Sequence, residues 1–335
     1  MATYDVFNGD ADGICALIQL RLAEPMETEL ITGVKRDISL VQQVHAGKRD
    51  HVNVLDISLD KNREAVDNLL AAGCSVFYVD HHFPGDKLPD APTFTCLIDT
   101  QATTCTSLLV DRHLRGRFHR WAIVAAFGDN LNAVGEELAA KAGMSARQTE
   151  SLKTLGVCMN YNGYGATFED LHFHPGDLYR EFVRFADPLE LIGSAPVAWK
   201  RLSEGYEDDM ARGLEAPVLS ESGKSLVLKL PDEAWARRVS GVLGNELTNR
   251  NPDTACGIVT EKADNTYQVS IRAPLNNRIG ADEVARQFPS GGGRKAAAGI
   301  NTLPAGQLDE FLGVMCSFAS SPPVAGVRRQ PVSIH

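Results

Sequence analysis

Four short stretches of this chain concentrate groups that can hold cations or move protons. Asn8-Gly9-Asp10-Ala11-Asp12-Gly13 is the first, Asp56 the second, Asp80-His81-His82 the third, and Asp129, in Phe127-Gly128-Asp129-Asn130, the fourth. Carboxylates gathered in one crevice repel one another and raise each other's pKa unless cations sit among them. Carboxylate with imidazole suits Mn²⁺, Mg²⁺, Fe²⁺ or Zn²⁺, and the oxygen-rich mixture here favours Mn²⁺. Taken alone, Asp-x-Asp-Gly reads as a turn or helix cap and a single Asp56 as a strand-end cap. The first motif is not an EF-hand loop, because Ile14 and Ala16 stand where later ligands belong. Two adjacent histidines closing an apolar strand have no comparable structural explanation, and they point to metal binding.

The elements around these groups place them at one edge. Tyr4–Phe7, Val52–Leu55 and Ser75–Val79 read as strands, alternating with helical patterns over Ile14–Leu22 and Lys61–Ala72, the latter stopped by Gly73. Such alternation predicts a doubly wound, mostly parallel sheet, with ligands at the carboxyl ends of its strands. From about Thr104 to Cys158 the pattern is mainly helical. Residues 160–188 interleave Tyr161, Tyr164, Phe168, Phe173 and Tyr179 with Gly, Asp and His, a pattern that serves either base stacking or core packing. His172-Phe173-His174 reads as a loop or substrate wall rather than a second metal site.

The polar stretch Glu204–Gly223 reads as a linker. It divides the chain into a catalytic domain over residues 1–190, a linker over 191–223, a smaller α/β domain over 224–319 and a loose tail over 320–335, with an active-site cleft expected between the domains. In the smaller domain Leu226–Leu230, Ala255–Thr260 and Tyr267–Ile271 read as strands, with helices over Glu233–Thr248, Asp282–Phe288 and Gln307–Phe318. The run Gly291-Gly292-Gly293 reads as a turn whose amides can approach an anion. Arg294 and Lys295 flank it, and Arg272 could add a further phosphate contact.

With 335 residues, 44% hydrophobic and 23% charged, the chain has the composition of an ordinary globular protein of two domains. Its net charge of −10 excludes a coat for long duplex nucleic acid, which needs a basic footprint. Residues 224–300 nonetheless hold eleven Lys and Arg against eight Asp and Glu, so the acidity lies elsewhere. Seven scattered cysteines without Cys-x-x-Cys read as reduced thiols. Neither a signal peptide nor a membrane span is expected, and the cytoplasm is the default location.

The series Asn8-x-Asp10-x-Asp12, Asp56, Asp80-His81-His82 and Asp129 resembles the motifs of the DHH phosphoesterase family, which includes RecJ-type exonucleases, oligoribonucleases and cyclic-dinucleotide phosphodiesterases. Ser290 to Gly299 resembles the glycine-rich signature of the DHH-associated C-terminal domain. The resemblance implies two Mn²⁺ ions per chain, with Mg²⁺ as the alternative, held by Asp10, Asp12, Asp56, Asp80, His81 and Asp129, with Asn8 at their edge. It implies two-metal hydrolysis of a short single-stranded oligonucleotide or nucleotide, with Asp56 at the reacting centre and His82 protonating the leaving oxygen. Gly291, Gly292, Gly293, Arg294, Lys295 and Arg272 would hold substrate phosphate. Two positions depart from the family pattern. Asn8 and Val6 replace a customary His or Asp, and Arg294 stands where the glycine-rich signature ends in His. Three rival readings follow: a cyclic-dinucleotide phosphodiesterase, a nucleotide phosphomonoesterase, or a nucleotide-binding regulatory protein with a degenerate metal site. A homodimer is left open.

Overall fold

The structure, a computed structural model, describes residues 1–320; the expected tail lies outside them save for its first residue. Contacts divide the chain into two units, Met1–Ala211 with Arg237–Val242, and Arg212–Ala236 with Leu243 onward.

In the first unit, β1 (Thr3–Phe7), α1 (Ala11–Ala23), β2 (Glu29–Thr32), β3 (His51–Leu55), α2 (Leu59–Ala71), β4 (Ser75–Asp80) and β5 (Phe94–Ile98) come first. The five strands form one sheet in the order β2-β1-β3-β4-β5, and every neighbouring pair is parallel. Its residues alternate between two cores, as a pleated strand requires. Tyr4, Val6, Val52, Val54, Val76 and Tyr78 pack with Val66 and Leu69 of α2 on one face. Phe7, Leu55 and Val79 pack on the other with Ile14, Leu17 and Ile18 of α1 and with a helical layer. The sheet is therefore doubly wound, as the alternation predicted.

That helical layer is α3 (Thr106–His113), α4 (His119–Gly128), α5 (Asn132–Lys141), α6 (Ala146–Asn162), α7 (Pro175–Phe182), α8 (Pro188–Ser194) and α9 (Val197–Leu214). Helices α1, α4 and α6 approach unusually closely because glycines face one another. A Cβ on Gly156 would lie 2.1 Å from the Val124 carbonyl oxygen, and one on Gly128 would lie 2.4 Å from the Ala11 Cβ. The stretch 191–223, expected as a linker, instead holds the end of α8, all of α9 and the next strand. In α9, Ala198, Leu202 and Met210 are buried at helical spacing, a periodicity masked by the acidic residues between them.

The second unit contains β6 (Val218–Ser222), β7 (Ser225–Leu230), α10 (Ala234–Arg250), β8 (Ala255–Lys262), β9 (Thr266–Arg272), α11 (Ala281–Ala285), β10 (Gly291–Gly293), β11 (Ala297–Pro304) and α12 (Leu308–Ser320). Its sheet runs β10-β11-β9-β8-β7-β6, antiparallel except for the β7–β8 pair joined through α10. The glycine run is a strand and not a turn: it pairs with β11, Gly292 opposite Gly299, and no helix follows it. All seven cysteines are free. No helix among the described residues is long and apolar enough to cross a membrane.

Because backbone oxygen cannot yield to an added methyl group, Gly156→Ala is expected to force α4 from α6 at a cost of about 1–3 kcal/mol. Thermal unfolding of the variant checks this, and an unchanged midpoint would show that the helices can separate freely.

Candidate metal centre

Strand polarity delivers the ligand groups to one edge. β1, β3 and β4 end at Phe7, Leu55 and Asp80, and because they are parallel, the residues that follow Phe7 and Leu55 emerge beside Asp80. Asp56 takes a left-handed backbone, φ 59°, which stops β3 and turns the chain there. Asp10 caps α1: its Oδ1 accepts from the Asp12 amide at 2.9 Å and the Gly13 amide at 3.1 Å. Asp129 caps the far end of α4.

The structure brings two expected ligands, Asp56 and His81, together with His82, the expected proton donor. One ligand atom from each lies within 4.8 Å of the others, so His82 stands with the ligand groups. The His81 Nε2 lies 3.3 Å from Asp56 Oδ1 and 3.9 Å from Asp12 Oδ2. Its Nδ1 donates to the Thr104 carbonyl at 2.8 Å; a carbonyl carries no proton, so in the neutral ring Nε2 holds a lone pair aimed at the carboxylates. The His82 Nδ1 donates to Asp80 Oδ1 at 2.7 Å, which leaves Nε2 as its other polar atom. The His82 side chain is 30% exposed against 4% for His81, so only His82 can readily meet a substrate.

Three residues that sequence reading missed hold the centre together. Thr104 orients His81. Thr106 donates its hydroxyl to Asp56 Oδ1 at 3.1 Å. The first amides of α3, from Thr106 and Ser107, both donate to the Asp12 carboxylate at 2.7 Å. Cys105-Thr106-Ser107 does carry a signal in retrospect, since small hydroxyl residues at a helix start often serve such contacts.

Electrostatics favour a cation here. Burial, then the charge of Asp56, pushes Asp12 up to about 8. Burial and then the charge of Asp10 push Asp56 well above the ordinary carboxylate range. Asp129 adds its repulsion to Asp10, Asp12 and Asp56, so it belongs to the same centre. Asp80 Oδ2 and Asn8 Oδ1 are buried oxygens without a hydrogen-bond partner. Oxygens of this kind, beside an inward imidazole, are what a hard divalent cation ligates.

A fourth missed residue faces Asp10. Lys35 pairs with Asp10 Oδ2 and donates to Asn160 Oδ1 at 2.9 Å. Burial alone would raise the Asp10 pKa, but the ammonium overrides it and the pKa is lowered.

Other expected sites resolve differently. Tyr161 is fully buried, so it packs rather than stacking bases. His172 binds the Tyr161 hydroxyl at 2.8 Å and burial lowers its pKa to about 4. His174 caps α7 through the Gly176 amide at 3.1 Å. The His-Phe-His segment is thus structural. In the second unit the Arg294 amide closes the β10–β11 turn on Ala297 at 2.8 Å, and Ala297 pairs with Arg272 on β9. Arg272, Arg294 and Lys295 therefore share one end of that sheet, with Arg294 and Lys295 exposed. The Arg272 Nε binds Asn245. Gly291 is required by packing, since its Cβ would lie 1.7 Å from the Ala285 oxygen, whereas Gly292 has open space.

Mn²⁺ binding to the metal-free protein is expected to release protons, because Asp12, pushed up to about 8, holds one near neutral pH and a cation displaces it. Affinity then tightens as pH rises from about 6 to about 8. Calorimetry in buffers of differing ionisation enthalpy checks this; pH-independent binding would mean that the carboxylates are already charged.

Residues 222–321 match the DHHA1 domain model. No curated protein matches the chain. Solved structures similar to it include exonuclease RecJ bound to manganese, at TM-score 0.59 and 17% identity over 96% of this chain and 91% of that one. RecJ with Mn²⁺ from Thermus thermophilus gives 0.58 and 16% over 96% of this chain, which spans only 52% of that longer one. The pGpG-specific phosphodiesterase PggH from Vibrio cholerae gives 0.53 and 13% over 96% of this chain and 99% of that one. At these identities the likeness is one of fold. A DHHA1 domain over residues 222–321, in a chain whose fold is that of RecJ and PggH, bears out the resemblance carried by the motifs.

Proposed function

We propose that this chain is a metal-dependent phosphodiesterase acting on short single-stranded oligonucleotides, down to dinucleotides. The observation that carries the reading is the convergence of Asp56, His81 and His82 within 4.8 Å at the sheet edge, with Asp80 clamping His82. PggH, whose whole length this fold matches, is a phosphodiesterase of a dinucleotide, which supports a substrate of that size over a long strand or a monoester.

Asp10, Asp12, Asp56, Asp80, His81 and Asp129 would hold two divalent ions, Mn²⁺ or Mg²⁺, with Asn8 as a neutral neighbour. Bound there, the ions supply Lewis acidity and lower the pKa of water. The chain's own groups do the rest. Asp56 and His81 fix the ligand geometry through Thr106 and Thr104. His82 donates a proton to the leaving oxygen as the phosphorus–oxygen bond breaks, and Asp80 stabilises the charged ring from which that proton comes. Water adds to phosphorus, so the products are a phosphomonoester and a free hydroxyl. Arg294, Lys295 and Arg272, with the adjoining strand Gly291, Gly292 and Gly293, bind substrate phosphate. Arginine in place of the customary histidine keeps a permanent charge and a bidentate grip. Seven free thiols suit a reducing compartment, and we assign the protein to the cytoplasm.

The test is hydrolysis of di- to pentanucleotides with Mn²⁺ and with chelator. Turnover that needs the metal supports the reading; none with any short oligonucleotide overturns it. His81→Ala is expected to lose metal and activity together. His82→Ala is expected to keep metal and lose about 10²–10⁴-fold in rate, and loss of metal instead would make His82 a ligand. Arg294→Ala with Lys295→Ala raises KM about tenfold or more, and an unchanged KM would free that sheet end from substrate binding.

A further inference from the structure

Lys35 is built into the centre as firmly as the ligands are. Its amide donates to the Gly163 carbonyl at 2.8 Å, and its carbonyl accepts from Asn8 Nδ2 at 3.4 Å. Its ammonium sits on Asp10 and on Asn160 Oδ1, 5.4 Å from the centre of the Tyr164 ring. A Cβ on Gly163 would lie 3.1 Å from the Asp10 Cβ, so the turn after α6 closes tightly over this corner. Lysines on a protein surface sample many rotamers; this side chain, 20% exposed, is held at both ends.

The charges divide the centre into two unlike halves. Around Lys35, Asp10 is paired directly with the ammonium and Asp129 also acts on it, while the other polar groups, Asn8 and Asn160, are neutral. Around His81, the carboxylates Asp12, Asp56 and Asp80 face no lysine or arginine among the hydrogen bonds and ion pairs that these three make. A divalent cation gains most where negative charge is uncompensated and pays a Coulomb penalty beside an ammonium. We infer that Lys35 is a tethered cation occupying the Asp10 corner, so that the chain holds one divalent ion tightly, at Asp56 and His81, and admits a second only by displacing the lysine.

This inference rests on the metal-dependent reading above, and its test separates the two. Mn²⁺ is titrated into the full-length protein, followed by calorimetry for stoichiometry and by electron paramagnetic resonance for spin coupling between neighbouring ions. The native chain is expected to show one tight Mn²⁺ with an uncoupled spectrum, and a second ion about tenfold or more weaker. Lys35→Met tightens the second ion to match the first and brings a coupled spectrum, whereas Lys35→Arg keeps the native pattern. Two equally tight ions in the native chain overturn the inference and leave the function standing, a result that needs no variant to fold. An unchanged second affinity in folded Lys35→Met also overturns it. No Mn²⁺ bound by the native chain removes the metal-dependent function and this inference with it.

Discussion

Mutual repulsion among buried carboxylates is the constraint on which the arrangement depends. Asp10, Asp12, Asp56 and Asp80 are all at most 2% exposed, and burying one unpaired charge costs several kcal/mol. The protein offsets this in distinct ways. Backbone amides at the start of α3 hold Asp12, the first turn of α1 holds Asp10 with help from Lys35, and hydroxyl and imidazole groups hold Asp56 and Asp80. Those contacts leave Asp12 and Asp56 still pushed toward protonation. The remaining imbalance is what a cation neutralises, so affinity for metal and the strain of the metal-free centre have one origin.

Sheet polarity and glycine packing are what make such crowding geometrically attainable. Parallel strands end together, and a left-handed residue at Asp56 ends β3 where an extended one would carry it past the edge. The cap at Asp129 reaches the same centre only because α4 lies close to α1 and α6 at Gly128 and Gly156. A bulkier residue at either position would move the end of α4, and with it a carboxylate whose field is felt by three others. Residues far from the chemistry therefore set its charge balance.

Much of this clustering was legible in the sequence, because polar residues that follow strands are local features. Asp10, Asp12, Asp56, Asp80 and His81 could be read from short motifs joined to apolar runs. What supports them could not. Thr104 and Thr106 meet His81 and Asp56 across 23 and 50 residues of chain, and Lys35 meets Asn160 across 125, with no periodicity to announce the contact. The glycine run misled for the opposite reason. Its composition favours a turn, yet pairing with β11 and the tight approach to Ala285 make a strand of it, since tertiary context outweighs local preference. Helix α9 was hidden by acidic residues on its exposed side.

The adjacent histidines of one short motif stand in two unlike surroundings. In a continuing strand, residues 81 and 82 would point to opposite faces of the sheet. β4 ends at Asp80, and the two rings instead stand edge to face with centroids 4.6 Å apart. Their partners then separate them chemically. The Thr104 carbonyl accepts from His81 Nδ1, while the Asp80 carboxylate accepts from His82 Nδ1. Exposure follows the same division, with His81 buried and His82 open. The first residue of Asp80-His81-His82 thus orients the third, and Thr104 orients the second.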